Sequence, residues 1–162
     1  MTTLSTELNK VSDYFVWKSF EDGRLITNKK IQKLVYYAQA WNLVLNGNTL
    51  FPDQIEAWIH GPAVRALYNK YKKYGYHPIQ TKPSAPTINI DEIALLEDLW
   101  SVYGVFDADY LEILSHSEKP WLTARGNADN GEPMAAIIDN EIMRDYYGER
   151  LKKAETVGTS KA

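Results

Sequence analysis

Three histidines, His60, His77 and His116, are the only imidazoles in the chain, and each raises the question of metal ligation or proton transfer. Their spacing matches no compact ligand pattern such as H-E-x-x-H, and there is no cysteine to complete a zinc set. The expectation is no metal and no cofactor. Ser115-His116-Ser117 sets a hydroxyl on each side of an imidazole, the raw material of acyl transfer. No G-x-S-x-G elbow accompanies it, and Ser117-Glu118-Lys119-Pro120 reads as the start of a helix. His116 then falls at a helix C-terminus, where the dipole favours a protonated, capping imidazole. A hydrolase would have to combine His60 and His116 with a carboxylate such as Glu56. That is the alternative to the preferred reading, in which the chain has no catalytic residues.

The most unusual local text is Glu56-Ala57-Trp58-Ile59-His60-Gly61-Pro62. Gly61 permits backbone conformations closed to other residues, and Pro62 suits the first position of a helix. This places His60 at a strand-to-helix corner, beside amides able to receive a carboxylate or another anion. Lys29, Lys30 and Lys33 fall in the first turns of a helix, against its dipole, which hints at contact with an acidic partner. The stretch Tyr68 to Tyr76 interleaves Tyr with Lys, as a nucleic-acid surface would. Helical spacing instead puts Tyr68 and Tyr71 on a buried face with Val64. The net charge of −3 supplies no field toward nucleic acid either.

The elements that must position these residues are mostly helical. A first helix is expected over Thr6 to Glu21, from the spacing of Leu8, Val11 and Phe15. A second, capped by Thr27 and stopped by Gly47, is apolar over so much of its circumference that it belongs at the centre of a domain. Ile55, Ala57 and Ile59 alternate with polar or amphipathic neighbours and signal a short strand. Helices follow over Pro62 to Tyr74, Asp91 to Tyr103, Asp107 (N-cap) to His116, and Pro120 to Gly126. A surface loop with three prolines occupies residues 77–89. A last helix begins at the N-cap Asp139, with Ile138 and Met143 as a hydrophobic staple. The expected architecture is mainly α: one compact domain, a bundle of about six helices, with a short strand or hairpin between helices 2 and 3. It covers residues 1–153, with 154–162 as a flexible tail.

The 162 residues suffice for one core without disulfide or metal support. With 11 Tyr and 5 Trp, some aromatic side chains are expected on the surface, where they favour protein contacts. No signal-like leader and no apolar run near the ~20 residues of a membrane span are present, so a cytoplasmic protein without membrane contact is expected.

The segment Ile26-Thr27-Asn28-Lys29-Lys30-Ile31-Gln32-Lys33-Leu34-Val35-Tyr36-Tyr37-Ala38-Gln39-Ala40-Trp41 resembles the opening motif of the Panacea antitoxin domain, known from phage-associated GepA-like and SocA-like proteins. Three further blocks resemble the family in order: Phe51 with Ile55 to Val64, Leu67 to Gly75, and Leu114 to Trp121. The resemblance implies an antitoxin of a bacterial or phage toxin–antitoxin system that neutralises a protein toxin by direct contact. The toxin would be encoded by a neighbouring gene, and the antitoxin could also serve as an adaptor that presents it to a protease. A prophage protein that binds a host factor is the other binding reading. The family brings no catalytic residues with it. The residues expected to form the motif-bearing corner are Trp58, His60, Gly61, Pro62, Tyr68, His116, Ser117 and Trp121.

Overall fold

The computed structural model describes residues 3–129 and 131–160, the side chains of 156–160 excepted. Its elements run α1 (Thr6–Glu21), α2 (Asn28–Asn46), β1 (Glu56–Trp58), β2 (Gly61–Ala63), α3 (Arg65–Tyr71), a 3-10 turn (Lys72–Tyr74), α4 (Ile90–Tyr103), α5 (Ala108–His116), α6 (Lys119–Arg125) and α7 (Asn140–Ser160). The fold is mainly helical with one small hairpin, as the sequence implies.

Helix α2 is the axis. Thr27 Oγ1 accepts from the Lys30 amide at its start, and Gly47, at φ 75°, ends it. Ile31, Leu34, Val35, Tyr36, Tyr37, Ala38 and Ala40 are all fully buried. Burying a large apolar side chain is worth about 1.5–3 kcal/mol, so this helix alone organises much of the core. It packs against α1, α3, α4, α5, α7 and β2. Leu45, near its end, is 57% exposed.

The polar side chains buried on α2 hold loop backbone in place. Gln39 Oε1 accepts from the Leu50 amide, and its Nε2 donates to the Phe51 carbonyl. Gln32 Oε1 accepts from the Val64 amide, and Asn28 Nδ2 donates to the Tyr68 carbonyl. Buried backbone groups need partners, and α2 supplies them to the segments on either side of the hairpin.

One expectation needs correction here. Pro62 does not begin a helix: it lies in β2, opposite Ala57, and α3 starts at Arg65. The last helix runs to Ser160, through most of the stretch expected as a tail; residues 161 and 162 lie outside those described. Lys152 to Glu155 are exposed there. An unexpected pairing also appears. The Ala57 amide donates to the Ala136 carbonyl and the Ile138 amide to the Ile55 carbonyl, so residues 136–138 lie along β1.

Candidate functional site

The hairpin registers Glu56 with Ala63, Ala57 with Pro62 and Trp58 with Gly61, which leaves Ile59-His60 as a two-residue turn. His60 therefore sits at a hairpin tip and not at the start of a helix, so the anion-receiving helical amides expected beside it are absent. Pro62 is tolerated in the strand because Ala57 turns its amide away, toward Ala136. Gly61 has φ 108°, a conformation in which a side chain is strained.

The His-bearing block of α5 and α6 braces this tip. Trp121 is fully buried and donates from Nε1 to the Trp58 carbonyl at 2.9 Å. The His116 ring stacks on Trp121, with centroids 3.9 Å apart and planes 15° from parallel, and it interacts with the backbone of Ile59. Burial pushes the His116 pKa below the ordinary imidazole value. This runs against the expectation of a protonated cap: desolvation outweighs the Glu112 charge and the Ile59 backbone hydrogen bond, which favour the protonated ring. Ser117 is the C-cap residue, exposed, with its hydroxyl donating to the Leu114 carbonyl. Buried Arg125 donates from Nη1 to the Ala57 carbonyl and stands over the Trp121 ring.

His60 itself is 71% exposed in its side chain, and its Nδ1 lies 3.3 Å from Glu112 Oε1. Glu56 is occupied elsewhere, accepting from Trp58 Nε1 and Arg65 Nη2. The grouping of His60, His116 and Glu56 required by a hydrolase is therefore not assembled. Ser115 is buried, and its hydroxyl donates to the Glu112 carbonyl. Among the described residues no group of three or more His, Asp or Glu side chains is gathered as a metal would need.

The three lysines expected to meet an acidic partner have their interactions within the chain. Lys29 pairs with Asp109 at 2.7 Å and with Glu112. Burial lowers its pKa, but the hydrogen bonds to these two carboxylates outweigh that and raise it overall. Lys30 donates to the Gly104 carbonyl and stands 5.7 Å from the Trp100 ring centroid, and burial, with Arg24 nearby, lowers its pKa. Lys33 is fully enclosed and donates to the Pro62 carbonyl at 3.3 Å; burial, then the neighbouring Lys29 charge, pulls its pKa down to about 7. The sequence pattern flagged unusual charges but could not show that two of them answer to α5 and to the end of α4.

An open groove of about 840 Å³ runs beside the hairpin. Lys29, Gln32 and Lys33 of α2, Trp58 to Gly61 of the hairpin, and Arg65 and Tyr68 of α3 line it, with Lys72, Tyr76 and residues 133–135. Tyr68, expected on a buried face, is only half-buried and meets Trp58 edge-on at 5.2 Å. Arg65 stands 5.1 Å from the Trp58 ring centroid. A smaller cavity of about 210 Å³ lies between α1 and the start of α4, with no comparable chemistry.

Sequence reading missed Glu118. It was taken as part of a helix start, yet its carboxylate is buried and accepts from Tyr37 (2.7 Å) and Tyr147 (2.8 Å). Tyr147 and Tyr36 share a further hydrogen bond at 2.9 Å, and Tyr37 stacks on Tyr103 at 4.2 Å. Burial raises the Glu118 pKa, while the two hydroxyls oppose that shift. This network takes Tyr36, Tyr37 and Tyr147 into the core, while Tyr76 and Tyr110 are exposed, as composition suggests for some of the aromatics.

A helical core, a braced hairpin and an open groove beside it define a class: a mainly α domain with one small hairpin. Comparison with protein families gives the particular family. The model described as "Antitoxin SocA-like, Panacea domain" matches residues 31–122, more than half of the chain, and the chain belongs to that family. The match includes most of α2, the hairpin, α3 to α5 and the start of α6. No curated protein and no solved structure matches the chain. Among the described residues no helix is long and apolar enough to cross a membrane.

Proposed function

We propose that this protein is an antitoxin that neutralises a cognate protein toxin by stoichiometric binding in the cytoplasm, the toxin being the product of a neighbouring gene. Family membership over residues 31–122 carries the reading. The geometry supports it. The motif residues do not converge as a catalytic group; His116 and Trp121 brace a hairpin whose tip, His60, projects beside an open groove. Trp58, His60 and Tyr68 form the accessible part of this corner, while Gly61, Pro62, His116 and Trp121 hold its shape. A toxin seated there could also be handed to a protease, since binding at one face leaves the rest of the domain free.

Co-expression tests the proposal. Each neighbouring reading frame is induced with and without this chain, and growth is followed. Rescue from one toxic neighbour, with the two proteins co-purifying, is expected. Turnover of a substrate by the isolated chain, or lethality of every neighbour despite the chain, defeats it.

A further inference from the structure

The side chains lining the groove beside the hairpin include cations and no carboxylate, although the whole molecule is acidic. The chain has a net charge of −3, yet the groove lining includes Lys29, Lys33, Arg65 and Lys72 and no Asp or Glu. Carboxylates outside the lining answer two of these cations: Asp109 and Glu112 pair with Lys29, and Glu56 pairs with Arg65. Lys72 is exposed and has no acidic partner among the described residues. Lys33 is a different case. It is 2% exposed, and its ammonium has three donors but a single protein acceptor, the Pro62 carbonyl. A buried ammonium so poorly answered is costly, and an anion at the groove would relieve it.

The rest of the lining fits a peptide better than a simple ion. Trp58 and Tyr68 form an aromatic wall, Tyr76 is 99% exposed, and Met134 adds an adaptable apolar surface. Aromatic and apolar walls around a cationic lining suit side chains that alternate between acidic and apolar. Such complementarity sets partner choice and encounter rate.

We infer that this groove is the docking site for an acidic, aromatic-containing segment of the partner protein, with its carboxylates directed to the accessible Arg65 and Lys72 and its apolar side chains to Trp58 and Tyr68. The identity of that partner as a toxin rests on the proposed antitoxin function; the chemistry of the groove does not.

The test uses the intact chain and a fluorescent peptide that alternates glutamate with phenylalanine. Its glutamine counterpart and a single-stranded DNA oligonucleotide serve as comparisons. Saturable binding of the glutamate peptide is expected, weakening with salt. Lys72→Glu should reduce affinity roughly tenfold, more when joined to Arg65→Glu, while Lys119→Glu on α6 should leave it unchanged. Thermal melts confirm folding of each variant, and the single Lys72 variant suffices if the double variant unfolds. Absence of saturable binding, equal affinity for the glutamine peptide, tighter binding of DNA, or indifference to Lys72→Glu overturns the inference. Toxin rescue is scored separately. Rescue preserved in the folded Lys72→Glu, Arg65→Glu chain removes the groove from the interface and leaves the antitoxin role standing. Failure of the unaltered chain to rescue, with peptide binding intact, removes the antitoxin role and leaves the groove.

Discussion

Gly61 lies against the aliphatic end of Lys33: a Cβ added to Gly61 would stand 2.6 Å from Lys33 Cε and 3.0 Å from Ser115 Oγ. Backbone conformation and packing thus demand glycine at the same position. Gly61→Ala should lower unfolding free energy by about 1–3 kcal/mol, read from urea denaturation. Gly47 also has positive φ, 75°, in the left-handed helical region, with only an ordinary 3.8 Å contact to Arg144 Nη2. Gly47→Ala should cost only about 1 kcal/mol, the intrinsic penalty for that conformation. Equal losses at the two sites would mean that close packing against Lys33 and Ser115 contributes nothing.

Lys33 should make stability depend on pH above neutrality. Its pKa falls from the ordinary 10.5 to about 7 in the folded protein. Between those values the unfolded chain holds a proton that the folded chain has released, so stability rises with pH across that window. The slope approaches ~1.4 kcal/mol per pH unit, and the contribution is lost as pH falls toward 7. Lys33→Met should abolish this rise and be more stable than the parent at pH 7. Unfolding free energies at pH 7, 8 and 9 for both proteins measure it. Parallel curves would show that Lys33 titrates normally.

Much of the fold is legible because the longer helices carry their own punctuation. Thr27 and Gly47 bound α2, Asp107 accepts from the Tyr110 amide, and Asp139 accepts from the amides of Glu141 and Ile142. These signals are local, and local chemistry settles them. The hairpin was misread at Gly61-Pro62 because a proline after glycine suits a helix start as well as a strand position that needs no donor. Only the pairing of Ala57 with Ala136, 79 positions apart in sequence, decides between them. The candidate site was legible as a set of motif blocks but not in its division of labour. Trp121 and His116 read as surface candidates, yet Trp121 is buried under the hairpin. The partners of Lys29 come from α5, distant in sequence, and no spacing rule connects them.

The buried Glu118 should be among the most sensitive polar positions. Glu118→Ala would leave the Tyr37 and Tyr147 hydroxyls without their acceptor inside the core. Tyr147 can turn its proton to the Tyr36 hydroxyl, so Tyr37 is the hydroxyl left orphaned, and a loss on the order of 1–3 kcal/mol is expected. Glu118→Gln retains an acceptor oxygen of similar shape and should recover more than half of that loss. A thermal or denaturant series over the parent and the two variants checks this. Glutamine as damaging as alanine would show that charge, and not acceptor geometry, holds the network.

His60 and His116 should separate cleanly into contact and scaffold. His116 stacks on the fully buried Trp121, so His116→Ala should cost about 0.5–1.5 kcal/mol beyond its loss of buried area. His60 is exposed and faces Glu112 at a distance that, in solvent, is worth at most about 1 kcal/mol. His60→Ala should therefore leave the melting curve nearly unchanged. If the hairpin tip meets the toxin, as the proposed function requires, the same substitution should weaken the co-purified complex and toxin rescue. His116→Ala should impair rescue only in step with lost stability, recovering at lower temperature. Full rescue by a folded His60→Ala chain would place the toxin on another face of the molecule.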